Sequence, residues 1–413
     1  MKRVVFEGAD TQDSLRPFAT SVKETVVNRA EGMFLWLRLV LEELKVIRTE
    51  DDFQRTLEKI PSGLEQYSDR FLSRLNLAAT PAERSHIELV FQWAAFSAST
   101  ATEENIKHAL DIRFGSGPGR PIFPILMKRC SPLLQCLSGG RIHVLHLSVR
   151  DYLRTKRGSI FGDSDLDSVS AGHTALFRIC MQYLSTTIGD EVNFSKARRD
   201  LAKKYSLFEY AARHVWAHLF ESRPPNGAKI DLLEEFFEKA GKNLLWVETT
   251  CLLGIDYRLR DQLIIQSDLQ NWLKEYKPVS ASDASKIKRI ESGLRSLYTS
   301  AVGFSKNKYG RRDVRTAKAI HALSSFLYYN RHIKESLSYL IQSLSRYETS
   351  MSFDPYDPDY LVLLAELASC QFDIDPLDSK CVENMSRAYE GSKVVNGSNH
   401  PTTLHNGIIL ADI

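Results

Sequence analysis

The side chains best placed by type and spacing to do chemistry are histidines. His143 and His146 form an H-x-x-H beside a Gly-Gly turn. On a regular strand, residues three apart point to opposite faces, so the pair is not expected to share one metal ion. His214 and His218 stand four apart, the spacing that puts two imidazoles on one helix face. Val215 occupies the position where a zinc protease of the H-E-x-x-H type needs its catalytic glutamate, so a helix-surface or core pair is the expectation. Gly115-Ser116-Gly117-Pro118-Gly119 superficially resembles a phosphate loop, but Arg follows at 120 and Pro118 removes a donor, so a flexible insertion is expected. The six cysteines form no C-x-x-C, which argues against a zinc knuckle or a dithiol redox centre. Neither G-x-x-x-x-G-K-[ST] nor G-x-S-x-G occurs. No constellation supports an enzyme, and no metal is implied.

Composition sets the frame for those residues. With 43% apolar and 25% charged residues, the 413-residue chain can build cores for several domains. Its net charge of +3 gives no global field for nucleic acid or an anionic membrane. The most apolar run, Met33 to Leu41, is interrupted by Arg38 and is too short to span a bilayer. The first residues lack the apolar segment of a secretory leader. Scattered single thiols suit a reducing compartment, and a cytoplasmic location is the expectation.

Periodicity then places the elements. Residues 1–80 read as a helical region, with Phe34, Leu37, Leu41 and Leu44 along one stripe and a helix start at Thr49. Residues 81–155 read as three helices, a hairpin around Ser138-Gly139-Gly140, and a restarted helix. That order predicts a winged helix. Ser148-Val149-Arg150-Asp151 has the form of a capping box, with Ser148 expected to start the final helix. The third helix, where such domains read DNA, offers only Lys128 and Arg129 as cations, so nucleic acid is not an expected partner. Residues 156–170 read as a polar linker and 171–305 as a helical connector. The five tryptophans lie in apolar helical stretches and are expected in cores. The basic residues Lys306, Lys308, Arg311 and Arg312 read as a solvated loop.

Residues 310–413 carry a repeat. Helix pairs are expected over Val314–Asn330 with His332–Tyr347 and over Tyr360–Phe372 with Asp378–Glu390, with a further first helix from Thr402. Small residues mark where the helices of a pair touch: Ser324, Ser369 and Ala411 in first helices, Ser336 with Cys381 and Ser343 with Ala388 in second helices. Such units bury their faces only by stacking, so the fold class expected is all-α with one small hairpin and a short α-solenoid.

Three stretches carry a family resemblance. Ala30 to Leu41 (AEGMFLWLRLVL) with Ile60-Pro61-Ser62-Gly63-Leu64 and Tyr67 resembles the end of a fungal NACHT ATPase domain. Val144 to Leu153 (VLHLSVRDYL) resembles the signature closing the adjoining winged helix, often catalogued with GPI inositol-deacylase. His400-Pro401-Thr402-Thr403-Leu404 resembles the opening of kinesin-light-chain-like tetratricopeptide repeats. The resemblance implies a non-catalytic regulatory and protein-interaction part of a STAND-type, NLR-like signalling protein of the heterokaryon-incompatibility and programmed-cell-death kind. It implies signature positions His146, Ser148 and Asp151, with His146 as a sensor of ADP. ATP or ADP enters only if a NACHT core is supplied elsewhere, because this sequence has no P-loop. His146 has another reading, as a strand-end histidine bonded into the core. Expected partners are proteins held by the repeats, and a NACHT ATPase domain; no membrane is expected. Two alternatives stand beside this reading: a truncated or decayed receptor fragment with no activity of its own, and a winged-helix DNA-binding regulator.

Overall fold

The computed structural model describes residues 34–44, 49–59, 63–115, 122–155, 168–186, 207–238 and 265–413. Expectations for residues 1–33, 60–62, 116–121, 156–167, 187–206 and 239–264 lie outside them. These include part of the NACHT-like stretch, most of the glycine-rich loop and linker, and Trp246. The described residues form an all-α protein with one two-stranded antiparallel hairpin. The chain divides into two units, residues 1–176 and 177–413.

The first unit opens with α1 (Phe34–Leu44), α2 (Glu50–Glu58) and α3 (Leu64–Ala78). Trp36, Leu37, Val40 and Leu44 are buried, as their spacing requires. Next come α4 (Pro81–Phe96), α5 (Glu103–Phe114) and α6 (Ile122–Cys130). Thr80 and Thr102 start α4 and α5 through reciprocal boxes with Glu83 and Asn105. Each such cap contributes about 1 kcal/mol. Strands β1 (Leu134–Cys136) and β2 (Ile142–Val144) follow, with Gln135 opposite His143. Gly139 and Gly140 both have positive φ, 82° and 70°, conformations that glycine reaches without a Cβ penalty, and they let the chain reverse between the strands. The loop before α5 adds a third edge: Ile142 N–H donates to the Ala101 carbonyl and Glu103 N–H to the Gly140 carbonyl. Helix α7 (Leu147–Thr155) closes the element order anticipated for residues 81–155. Helix α8 (Ser168–Thr186) contains the boundary between the units.

The second unit continues with α9 (Phe208–Glu221), α10 (Gly227–Glu238), α11 (Ile265–Lys274) and the 29-residue α12 (Ala281–Tyr309). Lys229 lies buried at the turn from α9 to α10, where its ammonium donates to the carbonyls of Ser222 and Pro224. This closes the end of α9 with a cation, the sign a helix C-terminus favours. Burial, with Arg178 nearby, pulls the Lys229 amine down to about 8. On α9, His218 is fully buried and shares a 2.8 Å hydrogen bond with the Tyr210 hydroxyl. Burial pushes His214 down to about 4, which keeps it neutral. These two histidines therefore serve α9 packing.

Helices α13 (Val314–Tyr329), α14 (Ile333–Glu348), α15 (Pro358–Ile374), α16 (Ser379–Asn396) and α17 (Pro401–Asp412) complete the chain. They form two helix pairs and a further first helix. One core runs through them, with Leu340, Tyr347, Leu364, Ala368, Met385 and Ala388 almost wholly excluded from solvent. Trp36, Trp93, Trp216 and Trp272 are buried, as expected for core residues. Among the described residues, no helix is long and apolar enough to cross a membrane.

Candidate functional site

Two places gather the residues singled out by sequence. One is a polar cleft in the first unit; the other is the face formed by the first helices of the repeat.

The cleft has a volume of about 410 Å³ and is bordered by the loop Ser97–Ala101 on one side and by β2 and the start of α7 on the other. His143, His146 and Arg150 all line it. The strand-parity argument, which sent His143 and His146 to opposite faces, fails because β2 ends at Val144. Leu145 then turns the chain before His146, so pleat alternation no longer governs the second imidazole. Even so, no group of three or more His, Cys, Asp and Glu among the described residues is placed to hold a metal ion.

His146 departs from one of its two readings. It is exposed rather than bonded into the core, and it, not Ser148, starts α7. Its Nδ1 accepts the Ser148 N–H at 3.1 Å. That places Ser148 inside the first turn and Asp151 in the second, so no Ser148–Asp151 box forms; Asp151 is exposed. The reason is geometric: a cap must precede the first helical residue, and α7 begins at Leu147. An Nδ1 that accepts leaves the proton of neutral imidazole on Nε2, a donor beside the cleft. Arg150 is steadied from behind by donating Nε–H to the Ala95 carbonyl at 3.2 Å, and Arg154 does likewise at 2.9 Å. The rest of the V-L-H-L-S-V-R-D-Y-L stretch is anchorage. Val149, Tyr152 and Leu153 are buried, and the Tyr152 hydroxyl donates to Asp69 on α3 at 2.7 Å. The cleft thus offers an imidazole donor, a guanidinium and hydroxyls from Ser97, Ser99 and Thr100, with no carboxylate lining it. Such a lining suits an anion.

In the repeat, the predicted contact positions fall largely where the helices meet. Ser336 Oγ donates to the Ser324 carbonyl at 2.8 Å, and Ser343 Oγ to the Ala317 carbonyl at 2.8 Å; all three serines are fully buried. Cys381 and Ala388 occupy the matching buried places in α16. Ser369 does not: it is partly exposed and its hydroxyl returns to Ala365 of its own helix. Ala368, fully buried, takes the contact instead. The correction comes from the helix starts. Asp313, Asp357 and His400 each accept the N–H two residues on, so the first helices count from these caps. Ser324, Ala368 and Ala411 all lie eleven residues beyond their caps. Ala411 is exposed.

Side by side, α13 and α15 are joined by a polar ribbon. His321 Nε2 and Glu366 Oε2 lie 3.1 Å apart, and the Ser325 hydroxyl donates to the same carboxylate. The Tyr328 hydroxyl donates to Asp373 at 2.9 Å, and Lys318 bridges Asp357 and Asp359. Sequence reasoning missed this ribbon; the recurrence of polar residues at a spacing of about 45 was its only trace. The third helix of the first unit, α6, shows Lys128 exposed while Arg129 is ion-paired to Glu83 at 3.2 Å. One of its two cations is therefore already engaged within the fold.

No known family model, curated protein or solved structure matches the chain.

Proposed function

We propose that this chain is a non-catalytic regulatory and protein-interaction module of the fungal NACHT, NLR-like kind, with the helix pairs engaging a protein partner. The observation that carries this reading is the repeat itself. Two helix pairs and a further first helix share one core, and α13 and α15 present a continuous polar ribbon between them. Stacked helix pairs of this form provide extended surfaces for peptides. Tyr328, partly exposed, and Asp373, exposed, are the residues assigned to partner contact, while the buried His321 and Glu366 hold the two helices together behind them.

The cleft beside His146 is the regulatory half of the proposal. Its donor-rich lining fits the phosphate-facing role that the family resemblance gives His146 when an ATPase core is present in the same assembly. That role belongs to a nucleotide held elsewhere, because the sequence has no G-x-x-x-x-G-K-[ST].

A peptide-display selection against the purified chain tests the repeat, with Tyr328→Ala and Asp373→Asn as controls. Enriched peptides that lose binding to both variants support the reading. Peptides indifferent to both variants, or no enrichment, would remove the repeat as the partner site. A phosphate-release assay tests the other half: the isolated chain should turn over no ATP, and turnover above the buffer rate would overturn the non-catalytic assignment.

A further inference from the structure

The basic residues read as a solvated loop divide: Lys306 and Lys308 belong to the last turn of α12, and Arg311 and Arg312 are exposed in the turn that follows. Lys306 and Arg346 are each partly buried, while Arg311 is exposed beside them. The register of α12 and α14 explains how the first two meet. Arg295 of α12 pairs with Glu335 of α14 at 2.6 Å, near the start of α14. Eleven residues further along each helix stand Lys306 and Arg346. Eleven residues are about three helical turns, so both side chains return to the face that carries the ion pair. The same seam that joins opposite charges at one end therefore sets like charges together at the other. Arg311, from the turn into α13, adds a third cation: Lys306 and Arg346 are both pushed down by burial first and then by neighbouring cations, Arg311 among them.

None of these three side chains has a hydrogen-bond or ion-pair partner among the described residues. Nη1 of Arg346 is buried with no acceptor. Leaving a buried charged donor unmade is among the costlier arrangements in a folded chain. The carboxylates nearest in sequence are committed elsewhere. Asp313 holds Arg315 by two bonds of 2.8 Å, and Glu348 accepts from Tyr360 at 2.8 Å and Arg387 at 3.1 Å. No internal anion answers the cluster.

The geometry points to a binding site for a phosphate-type dianion formed by Lys306, Arg311 and Arg346. Guanidinium groups match the oxygens of a phosphate in pairs, and a lysine supplies a further point charge. A doubly charged oxyanion would relieve the repulsion and give Arg346 Nη1 its acceptor. The site uses none of the ribbon residues on α13 and α15, so it stands or falls separately from the peptide-binding proposal.

The test is calorimetric titration of the full chain with inorganic phosphate, and separately with O-phosphoserine, at fixed ionic strength. Arg346→Gln, Arg311→Gln and the exposed control Arg331→Gln are run alongside. The expected result is phosphate binding that weakens about ten-fold or more in Arg346→Gln and Arg311→Gln and is unchanged in Arg331→Gln. Tighter binding of O-phosphoserine than of free phosphate would identify a phosphorylated chain as the source; the reverse order would identify the free ion. A second readout needs no ligand. In phosphate-free buffer Arg346→Met should melt higher than the parent, because it removes a repelled, unpartnered charge. Absence of phosphate binding to the parent, binding equal in all variants, or a lower melting point for Arg346→Met in phosphate-free buffer would each overturn the site.

Discussion

The two helix pairs of the second unit reach the same packing with different chemistry. In the pair α13–α14, serine hydroxyls cross the contact and bond to carbonyls of the partner helix. In the pair α15–α16, the matching places hold Ala368, Cys381 and Ala388, which meet by close approach, and the buried polar contact moves to the Asn384 amide, which donates to Gln371 at 3.0 Å. Gly391 takes this furthest, since a Cβ there would lie 2.3 Å from Leu361 Cδ2. The common requirement is therefore small volume at the crossing. A hydroxyl is tolerated there when a carbonyl lies within reach, and its absence costs nothing when none does.

The largest effects should be shared by both pairs. Leu340 and Met385 hold equivalent, fully buried places in α14 and α16. Leu340→Ala and Met385→Ala should each cost about 2–5 kcal/mol in denaturant unfolding. A loss confined to one of them would show that the pairs do not share a core.

A second contrast sets the pairs against α9 and α10, whose turn is held by a charge instead. The Lys229 amine falls from 10.5 to about 8 on folding, so the folded state disfavours its proton. The penalty is present in full below pH 8 and is relieved as pH rises toward 10.5. Over that window the unfolding free energy should gain up to about 3 kcal/mol from this group. Subtracting the curve of Lys229→Met from that of the parent isolates the gain. A flat difference curve would remove Lys229 as its source.

Gly391→Val should cost about 2 kcal/mol, as overpacking outweighs the helical preference for a side chain. Its control is Gly303→Ala in α12, where a Cβ meets nothing within 4 Å; stability there should rise by about 1 kcal/mol. Equal responses would mean that close approach is not what fixes the second pair.

Ser343→Ala should cost about 1 kcal/mol through loss of its bond to Ala317. The reciprocal Ala388→Ser should cost less, because a serine can return its hydroxyl to its own helix. Smallest is a gain. Arg331, in the turn between α13 and α14, has φ 67°, a left-handed conformation that disfavours a Cβ. Arg331→Gly should raise stability by about 0.5–1 kcal/mol, read as a higher melting temperature.

Much of this architecture is written locally. Thr49 announces a helix start because a cap needs only its own turn, and Gly139-Gly140 announces the hairpin because positive φ is a property of one residue. The same local rule misled at Ser148, where a capping motif was present two residues too late and a histidine did the work. Ser369 was missed by one residue because a fixed repeat interval was carried through both helices of the second pair. The polar ribbon and the Lys306–Arg311–Arg346 cluster were not legible. Their members come from separate helices, and only the stacking of those helices brings them together.

First-helix faces repeat every 44 residues, as Ser324 and Ala368 do, whereas second-helix faces repeat every 45, as Ser343 and Ala388 do. The odd residue sits in the link between α15 and α16, outside either buried face. Insertions and deletions arriving at such links leave every inward-facing side chain in phase. The same change within a helix would rotate all that follows by about 100° and bring polar residues into the core. Length variation in this region should therefore collect at the turns, and the intervals between pairs can drift while the faces keep their count.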